Sequence, residues 1–100
     1  MIRGTTPRHR FLVPFKASEI ASLQVIYAQK NKTVLKRTAA DTELADGCIT
    51  VSLSQRETLD FSHGAPVQLQ LRVLTKDGEA YASRILTLRV EDCLCEEVLT

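Results

Sequence analysis

The nine residues Val67–Thr75 constrain the fold more than any other stretch, because Val67, Leu69, Leu71 and Val73 alternate with Gln68, Gln70 and Arg72. A period of two gives a pleated strand one apolar and one polar face, whereas a helical period would scatter the same residues around an axis. Such a strand rests one face on a second layer and leaves the other in water. Lys76-Asp77-Gly78-Glu79 follows. Asp-Gly at the end of an alternating run predicts a tight hairpin with both turn residues at positive φ. The return strand spans Ala80 to Val90, with Leu86, Leu88 and Val90 inward and Ile85, Thr87 and Arg89 outward. Its outer face is therefore partly apolar, which marks a candidate interface.

The same reading extends to the rest of the chain. Phe11, Val13 and Phe15 alternate through Arg10–Phe15, and Pro14, which cannot donate to a ladder, assigns this strand to an edge. Ser18-Glu19-Ile20 suits a single helical turn. Leu23, Val25 and Tyr27 mark a strand that turns at Lys30-Asn31-Lys32 into Thr33–Arg37. A second Asp-Gly, Asp46-Gly47, precedes Cys48–Leu53, where Ile49, Val51 and Leu53 face inward. Ser54-Gln55-Arg56-Glu57 fits a capping box and opens one short helical turn through Leu59. About seven short strands spaced by roughly ten residues, with turn chemistry between them, predict an all-β fold: an immunoglobulin-like antiparallel β-sandwich. The chain has no Trp, so the antibody-type Cys-Trp-Cys signature is missing and only the architecture is implied.

One hundred residues with 44% hydrophobic and 25% charged content suit a single domain, 1–100, with one core. No apolar run approaches a membrane span, and the opening residues are polar and basic where a signal peptide would be apolar, so neither secretion nor a membrane partner is expected. The net charge of +1 hides an asymmetry. Residues 1–9 form a basic N-terminal arm that, with Arg10 just beyond it, carries Arg3, Arg8 and Arg10. Residues 91–100 form an acidic tail with Glu91, Asp92, Glu96 and Glu97. Opposite signs at the two ends join either within one molecule or head to tail between two.

The chemistry-bearing residues are sparse. Cys93-Leu94-Cys95 and Cys48 lack the second pair or nearby histidine that a tetrahedral zinc site needs, so no metal is expected, and an odd number of cysteines is not a disulfide framework. His9 and His63 have no evident nucleophile and orienting carboxylate, and Glu57 is already explained by helix capping; no catalytic residue and no enzymatic activity are expected. Gly4, Gly47, Gly64 and Gly78 are too far apart for a phosphate loop, so no cofactor is expected. Lys30, Lys32, Lys36 and Arg37 form a basic hairpin, but with few aromatic residues to stack on bases it reads as a solvated, lysine-guarded strand edge rather than a nucleic-acid site. The tail is the oddity: Leu94, Val98 and Leu99 are apolar residues among acids. Such a segment folds back on its own sandwich or adds to a neighbour's groove or sheet edge.

Met1-Ile2-Arg3-Gly4-Thr5-Thr6-Pro7, Leu23-Gln24-Val25-Ile26-Tyr27-Ala28-Gln29, Leu71-Arg72-Val73-Leu74-Thr75-Lys76-Asp77-Gly78-Glu79-Ala80 and Cys93-Leu94-Cys95-Glu96-Glu97-Val98-Leu99 resemble segments of a family of small proteins of tailed bacteriophages and prophages of Firmicutes and related gut bacteria. The resemblance spans nearly the whole chain and carries no catalytic motif. It implies a virion structural protein of head, tail or baseplate, made in the host cytoplasm, contacting other phage structural proteins or copies of itself as a homo-oligomer. The residues expected to make those contacts are Arg3, Arg8 and Arg10 of the N-terminal region, and Leu94, Glu96, Glu97, Val98 and Leu99 of the tail. The competing expectations are a small soluble phage adaptor or inhibitor of a host protein and, behind it, a nucleic-acid-binding module.

Overall fold

The computed structural model describes residues 1–100, and its strands form two antiparallel sheets. The smaller sheet contains β1 (Arg8–Leu12), β4 (Glu43–Ala45) and β5 (Cys48–Ser52) in the order β1-β5-β4. The larger has β2 (Ile20–Gln29), β3 (Lys32–Thr38), β6 (Val67–Thr75), β7 (Ala80–Ala82) and β8 (Leu86–Leu88), ordered β3-β2-β6 with β7 and β8 both on the far side of β6. Two consecutive strands in one sheet, two returning to the other and a last pair of positions beside β6 reproduce the immunoglobulin-like order. With β1 as strand B, the sheets are B-E-D and C′-C-F-G.

The alternation of β6 is realised residue by residue: Val67, Leu69, Leu71, Val73 and Thr75 are buried, while Gln68, Arg72 and Leu74 are exposed. Leu23, Val25 and Tyr27 of β2 face the same core as Ile49, Val51 and Phe61. A bulge between Ile20 and Ser22 lets Ile20 and Leu23, three apart, both point inward. The Tyr27 and Phe61 rings meet at a centroid distance of 6.0 Å in the middle of this core.

The turns refine the sequence reading. Gln29 pairs with Lys32, leaving Lys30 and Asn31 as a two-residue loop with φ of 51° and 64°, the primed geometry that matches the twist of the strands. At Asp77-Gly78 the expected pair of positive φ values is corrected, since only Gly78 is positive, at 85°. Thr75 N–H donates to Glu79 O and Gly78 N–H to Thr75 O, so the loop has three residues with the glycine last. The expected strand Arg10–Phe15 runs instead from Arg8 to Leu12, at the edge as anticipated, with Pro14 just past its end. Arg8 therefore belongs to a strand rather than to an arm. The expected return strand is broken in two: Leu71 faces Ser83 and Leu69 faces Leu86, so Arg84 and Ile85 together oppose Gln70. Ser83 fills the gap, its Oγ accepting from Leu71 N–H at 3.0 Å.

The capping box forms as read. Glu57 N–H donates to Ser54 Oγ and Ser54 N–H to Glu57 Oε1, opening α1 (Gln55–Leu59). The helical turn near Ser18 is a short 3₁₀ turn over Ala17–Glu19.

Candidate interaction surface

A slot of about 410 Å³ opens where the two sheets leave their edges unpaired on the same flank. Phe11, Leu71 and Val73 line its floor; Leu12, Val13 and Phe15 form one wall, and Tyr81, Ser83 and Leu86 the other. Phe15 and Tyr81 touch across it with ring centroids 4.9 Å apart. Around it the surface is apolar: Leu12 is 87% exposed, Ile85 59% and Leu86 46%.

The backbone flanking the slot is unsatisfied by design of the ladders. Leu53 N–H donates to Pro7 O and Val13 N–H to Gly47 O, so the odd-numbered residues of β1 face β5. Hydrogen-bonding residues alternate along an antiparallel pair, so Arg8, Arg10 and Leu12 turn their N–H and C=O groups outward. On the opposite wall, Thr75–Glu79 and Leu71–Ser83 are bonded pairs, which turns the main chain of Ala80 and Ala82 outward. Arg8, Arg10 and Arg84 stand exposed along these edges, and none takes part in an ion pair.

The two ends of the chain are held together at the other end of the same flank. Met1–Arg3 runs parallel to Arg89–Glu91: Arg3 N–H donates to Glu91 O and Glu91 N–H to Met1 O, both at 2.9 Å. Gly4, at φ 78°, then turns the chain back towards β1. Arg3, expected among the contact residues of a free arm, is instead directed into the molecule with its side chain only 10% exposed. Its guanidinium donates to Asp92 Oδ1 at 2.6 Å, Glu96 Oε1 at 2.8 Å and Leu59 O at 2.8 Å. The hydrogen bonds from Arg3, first to Glu96 and then to Asp92, raise its already high pKa. The bond from Arg3, with a second from Cys93 N–H, holds Asp92 below its ordinary value.

The rest of the tail follows from that clamp. Leu94 lies midway between the two clamped carboxylates and is fully exposed. Glu97 is exposed, and Val98 half-buried. Leu99 has an exposed side chain, but its backbone exchanges two hydrogen bonds with the side chain of Gln55 on α1, at 2.8 and 3.0 Å. Of the two arrangements open to the tail, the structure adopts the folded-back one.

Other charged and ring groups pair away from the slot. Arg37 of the basic hairpin pairs with Glu57, bringing β3 onto the helix cap. Burial would raise the Glu57 pKa, but hydrogen bonds from Ser54 N–H and from Arg37 outweigh it, and the net shift is downward. His9 Nδ1 lies 2.7 Å from the Tyr27 hydroxyl. Burial lowers the His9 pKa, helped by the N-terminal ammonium, and raises that of Tyr27. His63 is exposed, 3.4 Å from Asp92, at the rim of a wide polar depression of about 650 Å³ that also takes in Arg89. No three His, Cys, Asp or Glu side chains gather in metal-binding geometry, and no helix is long and apolar enough to cross a membrane. Sequence reasoning missed Leu12, Tyr81 and Ser83, which shape the slot, and Gln29, which ties down the loop after α1. Leu12 and Ile85, apolar residues on outward positions, were the visible signals. Compared with family models, with curated proteins and with solved structures, the chain finds no match.

Proposed function

We propose that this chain is a non-enzymatic structural domain that joins protein surfaces through the slot between β1 and β7–β8. On the resemblance of its segments to small tailed-phage proteins, we place it in the phage particle. The observation that supports this reading is the coincidence of an apolar slot with two unpaired strand edges on one flank. An extended segment laid there gains main-chain hydrogen bonds from either edge while its side chains enter the slot, which is the strand-addition mode of recognition. Exposed edges ordinarily invite indiscriminate pairing, and charged side chains guard against it. Arg8, Arg10 and Arg84 serve that purpose and at the same time select for a partner that brings acid.

The test is mass spectrometry of particles purified from an induced lysogen carrying either the native chain or a Leu12→Glu variant, which places a charge on the slot wall. The native chain is expected in the particles, and the variant is expected to be lost from them while remaining folded in the cell. Absence of the native chain from particles, with recovery as a soluble complex, would move the assignment to the adaptor reading.

A further inference from the structure

We infer that the occupant of the slot is a second copy of this chain, presenting its Leu94 loop head to tail. The inference rests on the slot being the binding surface, as proposed above, and adds the identity of what fills it.

Three observations point to the loop. First, Leu94 is a fully exposed apolar side chain on a segment that is nonetheless fixed. Arg3 grips Asp92 and Glu96, two residues to either side of it, Cys93 N–H closes on Asp92, and Gln55 pins Leu99. A side chain held out in this way has already lost most of the backbone freedom that binding would cost, which is the general advantage of preorganisation. Second, the charges match. Glu91 and Glu97 are exposed beside the loop without an ion-pair partner, and Arg8, Arg10 and Arg84 are exposed beside the slot in the same condition. Third, Leu94 is fully exposed and is not among the residues that line the slot, so the loop does not cover the slot of its own molecule.

The loop and the slot are different surfaces, so the contact is heterologous. Each copy offers one of each, and repetition produces a ring where the rotation closes and a filament where it does not. That is the assembly expected of a component that repeats along or around a larger particle.

The test uses two variants of the full chain. Leu94→Asp destroys the loop and leaves the slot; Leu12→Glu destroys the slot and leaves the loop. Both positions are exposed, and circular dichroism checks the fold; Leu86→Glu is the second slot variant should Leu12→Glu unfold. By sedimentation equilibrium, the native chain is expected to self-associate with increasing concentration, and either variant alone to stay monomeric. A mixture of the two is expected to give a one-to-one dimer and nothing larger, because only one intact loop and one intact slot remain. The milder Leu94→Ala is expected to weaken self-association roughly 10- to 100-fold, the loss of one buried leucine side chain. A native chain that stays monomeric at millimolar concentration, a mixture that fails to dimerise, or variants that still associate would each overturn the inference. If the native chain is monomeric while Leu12→Glu is still lost from particles, the slot keeps its function and only the identity of its occupant falls.

Discussion

Replacing Gln29 by leucine tests how the loop after α1 is held. Gln29 ends β2 and is 6% exposed, one of few polar side chains in the interior. Its Nε2 donates to Ser62 O at 2.7 Å and to Ala65 O at 2.9 Å, and its Oε1 accepts from Ser62 N–H at 2.9 Å. Residues 60–66 join no ladder, so these main-chain groups depend on a side chain for partners. Leucine is apolar and branches one carbon earlier than glutamine, and it offers neither donor nor acceptor. Three hydrogen bonds at about 1 kcal/mol each set a central figure near 3 kcal/mol. Exposure of Ser62 lets water rescue some of the orphaned groups, and burial of Ala65 prevents it for others, so about 2–4 kcal/mol is expected. For a domain of this size that lowers the melting temperature by roughly 10–25 °C. Thermal and urea unfolding measure the loss, and amide exchange locates it: the Ser62 N–H, protected in the native chain, should exchange rapidly in the variant. Retention of full stability together with Ser62 protection would refute the reasoning, because it would mean that the loop is held by packing of Phe61 and Ala65 alone.

Arg3→Gln is expected to release the tail, seen as faster amide exchange over 93–99, at a stability cost of about 1–2 kcal/mol. The figure is at the low end for charge-assisted bonds because both carboxylates keep contact with water. Acid should act in two stages, followed by the urea midpoint against pH. His9 is held neutral by burial, so the unfolded chain takes up its proton first. Stability is complete above the ordinary histidine value of 6.5 and falls as pH drops through the lowered folded value; His9→Gln removes this stage. Asp92 is depressed chiefly by Arg3, so its contribution is complete above 3.8 and disappears as pH falls through its own lowered value; Arg3→Gln shrinks that stage to the part set by Cys93 N–H. A midpoint unchanged on crossing 6.5 would contradict the His9 assignment. Lys30→Gly should stabilise the chain by about 0.5–1 kcal/mol, measured by thermal unfolding, since a lysine at φ 51° carries left-handed strain that glycine does not.

What the sequence discloses is what lies within one local window. The alternation of Val67–Val73 names a strand, its face and the need for a second sheet; the serine and glutamate around α1 name a cap. Where information is non-local, the sequence goes quiet. Strand β4 is three residues long and too short to show a period, and Asp77-Gly78 announces a turn without giving its length. The opposite charges at residues 1–10 and 91–100 leave two pairings open. What decides between them is a backbone event, the parallel bridge of Met1–Arg3 beside Glu91 and the turn at Gly4, which places Arg3 beneath Asp92 and Glu96. The slot is more hidden still, since its walls come from segments about 70 residues apart in the chain. It nevertheless leaves a trace. Leu12, Ile85 and Leu94 are apolar at positions where the local pattern calls for water-facing residues, and each ends up on the surface assigned to assembly. Residues that satisfy the two-residue rhythm specify the sandwich. Among those that violate it, Leu12 and Ile85 lie at the slot and Leu94 on the fixed loop, the two surfaces that the proposed contact would join.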